Sequence, residues 1–299
     1  MDAEFARLAA ARRIMAVRGS TGSIEQDRAN AERWIARFGA AVESGSDDGA
    51  AIEAHEHSVV VRPEREAADG PRILYIHGGG MVYYSTAVFR PFLRTLAGAL
   101  QSPVEAFDYL KAPEHTVEQS VERLSADIAA RCDASAGQRL VIAGDSVGGL
   151  LALYIGLRVL PGVFSRVVLI YPVLDLATER ESYREFGEGY FLDRDAMRRF
   201  RSLLTPCFSA RAFDPFGLSD RDLATLGDCS LVTAGCDILR DEGMAWAEYL
   251  ADRGVRPCHR QFPDLPHDFC LYAGKLESAR RAVAEIAAAA FHLEEERCL

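Results

Sequence analysis

A serine between two glycines is the first group in this sequence suited to nucleophilic chemistry. Residues 144–148 read Gly-Asp-Ser-Val-Gly, and they follow the apolar run 139–143 and open an apolar helical pattern. A strand, a sharp turn and a helix in this order expose a serine hydroxyl above the end of the strand. The sequence therefore predicts Ser146 as a nucleophile. The alternative is a tight glycine turn in which Ser146 only caps the helix.

A second glycine cluster, His77-Gly78-Gly79-Gly80, follows the predicted strand 72–77. Attack of a serine on a carbonyl produces a tetrahedral oxyanion, which backbone N–H groups must stabilise. Consecutive glycines let the backbone turn its N–H groups inward without obstruction by a Cβ atom. We expect this loop and the N–H of Val147 to form an oxyanion hole, and His77 to shape the loop. The alternative is a flexible glycine loop that binds nothing.

A serine nucleophile needs a general base, and three histidines follow it in the chain: His259, His267 and His292. His259 falls inside a predicted strand, where its side chain faces one side of the sheet. His292 falls in a predicted C-terminal helix. His267 lies in the loop Pro-Asp-Leu-Pro-His-Asp-Phe after the last predicted strand, where it can reach over the end of the sheet. The sequence therefore predicts His267 as the base, against a purely structural histidine in that loop.

The base needs a carboxylate to orient it, expected between the serine and the histidine in chain order. Asp237 follows the predicted strand 230–234 and precedes His267 by 30 residues across a single helix. Asp175, after the predicted strand 166–171, is its rival, and a turn or helix-cap role is the alternative for either carboxylate. We expect Asp237 to be the triad acid.

Strands and helices alternate along most of the chain, which predicts a doubly wound, mostly parallel α/β sheet. Several strand candidates are continuous Val/Ile/Leu runs, as expected for strands buried on both faces. The strand candidates are 57–62, 72–77, 103–107, 139–143, 166–171, 230–234 and 257–262. The helix candidates are 3–18, 25–39, 86–100, 116–132, 147–159, 242–253 and 276–293. The segment 180–215 has no strand pattern, so we interpret it as an insertion over the sheet.

Composition excludes several classes of protein. The chain has 299 residues and a formal net charge of −10, which argues against a nucleic-acid binder. No apolar run is long enough for a transmembrane helix, and the N-terminus lacks the pattern of a secretory signal. The seven cysteines are odd in number and form no C-x-x-C pair. We therefore expect a cytoplasmic protein with reduced cysteines, no metal site and no cofactor.

These motifs together resemble the hormone-sensitive-lipase family of α/β-hydrolases. The resemblance covers roughly residues 70–290 and includes Asp-Tyr-Leu-Lys-Ala-Pro-Glu-His at 108–115 and Tyr-Pro-Val-Leu-Asp at 171–175. The family pattern D-x-L-x-D-E matches residues 237–242 and implies Asp237 as the acid. The resemblance also implies Gly78, Gly79 and Val147 as oxyanion donors, although which glycines of the loop point inward stays open.

The resemblance also implies a domain organisation. It implies cap helices at 1–45 and an α/β-hydrolase core at 46–299, with a cap insertion at about 180–215. Three residues depart from the family pattern: Val147 stands in place of alanine, Met81 in place of an aromatic residue, and Leu110 in place of arginine. Tyr83 and Tyr84 are candidates to replace the missing aromatic wall.

The expected function is a serine hydrolase that cleaves carboxylic esters through an acyl-enzyme, and the resemblance implies short or medium acyl groups. Two alternatives stay open. One is an amidase, a thioesterase or a dedicated biosynthetic hydrolase with the same triad, and the other is a non-hydrolytic binding protein on the same fold. The expected partner is a small-molecule ester, with no nucleic acid and no membrane. Nothing in the residues decides between a monomer and a homodimer.

Overall fold

A single eight-stranded sheet forms the centre of the computed structural model, which describes residues 1–14, 22–39, 49–135, 137–210 and 213–291. The strands are β1 (Ala51–Ala54), β2 (Ser58–Arg62), β3 (Arg72–Ile76), β4 (Val104–Phe107), β5 (Leu140–Asp145), β6 (Arg166–Ile170), β7 (Asp228–Cys236) and β8 (Cys258–Pro266). Their order in the sheet is β1-β2-β4-β3-β5-β6-β7-β8. Strand β2 pairs antiparallel with both β1 and β4, and all other neighbours are parallel. The predicted doubly wound α/β fold is confirmed.

Strand β1 is the one strand of this sheet that the sequence pattern did not predict. It reads Ala-Ile-Glu-Ala, all four residues are exposed, and it pairs with β2 through the register Ala51↔Arg62. An edge strand exposed along its whole length has no apolar alternation to reveal it. The sequence pattern predicted only the strand at 57–62 in this part of the chain, whereas the structure pairs it with β1 in a hairpin.

Ten α-helices connect or cover the strands within the described ranges. They are α1 (Ala3–Ile14), α2 (Ile24–Phe38), α3 (Thr86–Leu100), α4 (Val117–Ala134), α5 (Val147–Tyr154), α6 (Glu181–Glu185), α7 (Arg194–Ala210), α8 (Asp220–Thr225), α9 (Arg240–Ala251) and α10 (Glu277–Ala290). A π-helical turn at Ile155–Val159 extends α5, and a short 3₁₀ helix at Phe269–Tyr272 follows β8. The seven predicted helices match α1 to α5, α9 and α10 apart from their ends, whereas α6, α7 and α8 were not predicted. The predicted helix ends at 15–18 and 292–293 lie outside the described residues.

Alternation along β3 explains why the sheet is covered on both faces. Leu74 and Ile76 belong to an apolar cluster with helices α4, α5 and α9. Ile73 and Tyr75 belong to a second cluster with α3 and α10. All four side chains are fully buried. Successive residues of a strand point to opposite faces, so a continuous apolar run of this kind requires helices on both sides.

Both N-terminal helices pack against the rest of the chain. Phe5 of α1 makes edge-to-face contacts with Phe191 and Tyr272, with ring centroids 5.6 and 5.5 Å apart. Arg28 of α2 donates to the carbonyl of Val82 and to both carboxylate oxygens of Glu114. The boundary expected near residue 45 lies outside the described residues.

One expectation about the cysteines is wrong. Cys258 is disulfide-bonded, whereas Cys132, Cys229, Cys236 and Cys270 are free. The spacing of cysteines along the chain gave no sign of this bond, because a disulfide depends on the distance between Cα atoms in the fold. No described helix is long and apolar enough to cross a membrane. Over the same residues, no group of three or more His, Cys, Asp or Glu side chains is placed to hold a metal ion.

Candidate active site

Ser146 occupies a strained turn between β5 and α5. Its backbone has φ 53° and ψ −122°, a conformation that L-residues adopt rarely and at a cost. The Ser146 N–H donates to the carbonyl of Ile170 at 2.9 Å, which holds the turn against the end of β6. A Cβ atom at Gly148 would lie 2.1 Å from the carbonyl oxygen of Ile76, so only glycine lets α5 approach β3 this closely. The close packing of α5 against β3 therefore explains why the motif has glycine at position 148.

The structure brings three of the predicted site residues into one hydrogen-bonded chain. His267 Nε2 lies 3.1 Å from Ser146 Oγ, and His267 Nδ1 lies 2.7 Å from Asp237 Oδ2. Because a carboxylate only accepts hydrogen bonds, Nδ1 carries the proton and the neutral ring offers Nε2 as an acceptor to the serine hydroxyl. All three residues are buried. This geometry suits a serine nucleophile with a histidine base and an orienting carboxylate.

The ends of two neighbouring strands position the acid and the base. Asp237 follows β7 and accepts a hydrogen bond from the N–H of Leu239 at 2.9 Å through Oδ1, which leaves Oδ2 for His267. His267 follows β8, with its ring 4.8 Å from the ring of Tyr171. The rival acid Asp175 instead accepts from the N–H groups of Ala177 and Thr178, at 3.0 and 2.8 Å, and so stabilises a turn.

Of the other two candidate histidines, His259 does not join this chain of hydrogen bonds. His259 lies on β8, and its Nε2 is 3.0 Å from the hydroxyl of Thr233 on β7. His292 lies outside the described residues.

The side chain of His77 holds the glycine loop in place through the carbonyl of Gly78. Its ring stacks on that of Tyr109, with centroids 4.3 Å apart, and its Nδ1 lies 2.6 Å from the carbonyl of Gly78. A carbonyl only accepts, so Nδ1 donates. The Tyr109 hydroxyl donates to the same carbonyl at 2.8 Å, and Asp108 Oδ1 lies 3.4 Å from His77 Nε2. Burial opposes the charge of Asp108, but His77 and the donors of Thr86 outweigh it and lower the pKa of Asp108 to about 2.

Asp145 changes the expected role of the first loop glycine. The N–H of Gly78 donates to Asp145 Oδ1 at 2.8 Å, and the hydroxyl of Tyr75 donates to the same oxygen at 2.6 Å. The Gly78 N–H is thus occupied, which corrects its expected use as an oxyanion donor. Burial raises the pKa of Asp145 to about 7, although both donors favour its charged form. The sequence analysis missed this residue, and its place beside Ser146 in the motif was the available signal.

Two loop glycines and one helix terminus present unpaired N–H groups. Gly79 and Gly80 have φ values of 112° and 63°, and their N–H groups make no hydrogen bond to any described residue. The N–H of Val147 lies in the first turn of α5, where a helix has no internal acceptor. The loop glycine Gly80 also faces a side chain of α7, because a Cβ atom there would lie 2.5 Å from the ring of Phe200.

A second buried cluster connects α7 to the helix that follows Asp237. Glu242 of α9 accepts from the N–H of Leu174 at 2.8 Å, and Arg201 of α7 donates to the carbonyl of Asp175 at 2.8 Å. The Arg201 Nη2 atom lies 3.7 Å from Glu242 Oε2. Burial raises the pKa of Glu242 to about 8. These contacts explain the final glutamate of the D-x-L-x-D-E segment, and sequence reasoning did not identify Arg201.

A further carboxylate, that of Asp268, acts with Asp237 on the electrostatics around the base. Asp268, the residue after His267, places its Oδ1 atom 3.6 Å from His267 Nε2. Burial opposes the charged imidazolium, but the carboxylates of Asp237 and Asp268 outweigh it and raise the pKa of His267 to about 9. The two carboxylates therefore stabilise the protonated form of the ring.

Comparisons with known proteins agree with this architecture. A family model described as "alpha/beta hydrolase fold" matches residues 73–271. Ethyl acetate hydrolase from Pseudomonas putida is 29% identical over 248 residues, which cover 75% of this chain and 75% of that protein. Hormone-sensitive lipase from Mus musculus is 28% identical over 245 residues, 76% of this chain and 30% of the lipase.

Among solved structures, a thermostable esterase from Pseudomonas putida covers 98% of both chains with a TM-score of 0.83 and 24% identity. At this identity the likeness supports the fold alone. The family match extends over more than half of the chain, and it includes the glycine loop, Ser146, Asp237 and His267. The chain therefore belongs to the hormone-sensitive-lipase family of α/β-hydrolases, and it is a hydrolase of the carboxylesterase type.

Proposed function

We propose that this protein hydrolyses carboxylic esters of short or medium acyl groups through a Ser146–His267–Asp237 triad and an acyl-enzyme. The observation that carries the proposal is the continuous hydrogen-bonded chain from Asp237 Oδ2 through both ring nitrogens of His267 to Ser146 Oγ. A carboxylate, an imidazole and a hydroxyl in this order can move a proton from the nucleophile to the base.

The reaction follows from this geometry in two steps. His267 Nε2 takes the proton of Ser146 as Oγ attacks the ester carbonyl, and Asp237 stabilises the resulting imidazolium. The protonated Nε2 then gives its proton to the leaving alcohol, which departs and leaves the acyl group on Ser146. Water, deprotonated by the same nitrogen, attacks the acyl-enzyme. As the bond to Ser146 Oγ breaks, His267 returns this proton to Oγ and the acid is released.

The oxyanion is assigned in this proposal to the N–H groups of Gly79, Gly80 and Val147. These three groups replace the set expected from sequence, because the N–H of Gly78 already donates to Asp145. The bonds from Asp145, His77 and Tyr109 hold the loop in place before substrate binds. Donors fixed in advance need no reorganisation as charge develops on the substrate.

The cap contacts support a short or medium acyl group. Phe200 packs against Gly80, and the buried side chain of Met81 follows directly in the chain. Ser146 and His267 are only 7% and 3% exposed, so a substrate enters a confined space. We also propose that α1, α2 and the insertion at about 180–215 act together as the cap.

Activity on a panel of substrates tests the proposed function. Hydrolysis of p-nitrophenyl esters from acetyl to palmitoyl should be fastest with the shorter acyl groups and should decline towards palmitoyl. A fluorophosphonate probe should label the protein. Turnover of matched amides or thioesters without ester turnover would overturn the ester assignment in favour of the same triad acting on another acyl bond. Failure to label would favour a non-hydrolytic role.

The value of kcat/KM should fall as the pH is lowered, and the pKa that governs this fall should be higher than that of an ordinary histidine. His267 acts as a base only when neutral, and the neighbouring carboxylates raise its pKa to about 9. Its neutral fraction therefore falls about tenfold for each pH unit below that value. Initial rates at low ester concentration, with circular dichroism to verify folding across the range, provide the measurement. An acid limb near the ordinary histidine value of about 6.5 would contradict this expectation.

A further inference from the structure

A second carboxylate lies beside the catalytic base, and the proposed mechanism does not use it. Asp268 Oδ1 is 3.6 Å from His267 Nε2, the nitrogen that exchanges protons with the serine and the leaving group. Asp237 binds the opposite nitrogen, Nδ1, at 2.7 Å. The Asp268 side chain is 21% exposed, whereas that of Asp237 is fully buried. The two carboxylates therefore occupy different sides of one ring, and only Asp268 is open to the site.

The Asp268 carboxylate has unused capacity to accept hydrogen bonds or pair with a cation. It accepts no hydrogen bond from any residue that the structure describes, although it is largely enclosed. Its backbone is in the left-handed region, with φ 62° and ψ 13°, where aspartate and asparagine are tolerated better than most residues. The backbone conformation therefore explains why an aspartate is tolerated at position 268. It does not explain why its carboxylate points towards His267.

Two basic groups, His267 and Arg12, and two carboxylates, Asp237 and Asp145, interact electrostatically with Asp268. Burial raises the pKa of Asp268, and the charges of His267 and Arg12 oppose this rise. No atom of Arg12 comes within ion-pair distance of Asp268 in the described chain, whereas His267 Nε2 lies 3.6 Å from it. Arg12 Nη1 instead donates to the carbonyl of Phe191 at 2.6 Å. Asp237 and Asp145 add negative charge at the same site. Electrostatic interactions with Asp268 also reach the hydroxyls and the thiol of buried neutral groups, namely Tyr75, Tyr84, Tyr171, Cys270 and Tyr272.

The proton transfer determines which part of a substrate meets this carboxylate. The leaving oxygen must come within hydrogen-bond distance of His267 Nε2, about 3 Å, to receive its proton. Because Asp268 Oδ1 is 3.6 Å from the same nitrogen, groups attached to the leaving oxygen by a short chain come within reach of the carboxylate. The acyl group is bonded instead to the carbonyl carbon that Ser146 attacks. Asp268 therefore faces the alcohol part of the ester.

We propose that Asp268 is a specificity-determining residue that selects esters whose alcohol part carries an ammonium group a short chain away from the ester oxygen. This inference rests on the proposed esterase function. A partly enclosed carboxylate attracts a cation and repels an anion more strongly than it would in water.

A pair of acetate esters with the same shape tests this selectivity. Choline acetate and 3,3-dimethylbutyl acetate differ by a quaternary nitrogen in place of a carbon, and the charge of the former is the same at every pH. The quantity to measure is the ratio of their kcat/KM values in the wild type, in Asp268→Asn and in Asp268→Gly. Asparagine keeps the shape without the charge, and glycine suits the positive φ. The ratio cancels any effect of either variant on the shared chemistry.

The control variant removes one negative charge from an exposed position of the chain. Asp252→Asn changes an exposed carboxylate after α9 and reports general attraction of cations by a chain with a net charge of −10. We expect the ratio to fall about tenfold in both Asp268 variants, the equivalent of roughly 1.4 kcal/mol, and to stay at its wild-type value in Asp252→Asn.

Two results would overturn the inference, and they are distinguishable. An unchanged ratio in Asp268→Asn and Asp268→Gly, with the wild type active on the neutral ester, would show that Asp268 does not select the alcohol and would leave the esterase function intact. Absence of wild-type activity on both acetates and on p-nitrophenyl acetate would instead overturn the proposed function, and this inference with it.

Discussion

Replacement of Ser146 by alanine should lower kcat for ester hydrolysis about 10⁶-fold, the loss typical when a serine nucleophile is removed. The hydroxyl lies 3.1 Å from His267 Nε2, so its removal leaves the base intact but with no group to deprotonate. Fixed-time assays with p-nitrophenyl acetate at high enzyme concentration can measure a decrease of kcat of this size. The variant should also lose labelling by a fluorophosphonate.

Ser202→Ala is the matched control for this experiment. Ser202 is exposed on α7, and its hydroxyl donates to the carbonyl of Arg199 within the same helix. We expect near wild-type turnover and full labelling in that variant. If Ser146→Ala retained ester turnover comparable to the control, the nucleophile would have to be another group and the triad proposal would fail.

Replacement of Asp237 by asparagine should lower kcat about 10⁴-fold while leaving the fold intact. Asparagine preserves the side-chain shape, and its oxygen can still accept the Leu239 N–H that Asp237 Oδ1 accepts at 2.9 Å. It cannot stabilise the imidazolium, and its amide favours the tautomer in which Nε2 carries the proton. Steady-state kinetics and thermal unfolding of the same preparation separate the catalytic effect from any loss of stability.

Asp175→Asn provides the comparison for the acid, because Asp175 is its rival at the end of the neighbouring strand. Its Oδ1 accepts two backbone N–H groups and its Oδ2 pairs with Arg180 at 3.1 Å. Asparagine keeps the acceptor and loses the pair, so we expect a small change in stability and kcat within a few fold of the wild type. A larger loss of kcat in Asp175→Asn than in Asp237→Asn would reverse the assignment.

The local pattern of apolar and polar residues was sufficient to predict most of the strands and helices of the fold. Strands such as β3 and β5 are continuous apolar runs, and a run of this kind is recognisable because both faces of the strand are buried. Strand β1 has all four residues exposed, so its pairing with β2 left no apolar signature. The helix ends were less predictable, since the last turn depends on caps and on packing.

The three positions of the proposed triad could be picked out from the sequence because each follows a strand in the parallel part of the sheet, and the carboxyl ends of parallel strands meet at one edge. Ser146 follows β5, Asp237 follows β7 and His267 follows β8. Chain order and strand ends therefore narrowed the candidates to one serine, two carboxylates and one histidine. The choice between Asp175 and Asp237 gained its physical basis from the 2.7 Å contact with His267.

The amino-acid sequence by itself determined the class of fold, the chemical groups available and their order along the chain. Tertiary structure alone decided which atoms are already engaged. The N–H of Gly78 is occupied by Asp145, the carboxylate of Asp268 faces the base, and Cys258 is disulfide-bonded. Hydrogen bonds, ion pairs and disulfides act over a few ångströms, and residues that are distant in sequence reach such distances only through the packing of the whole sheet and its helices.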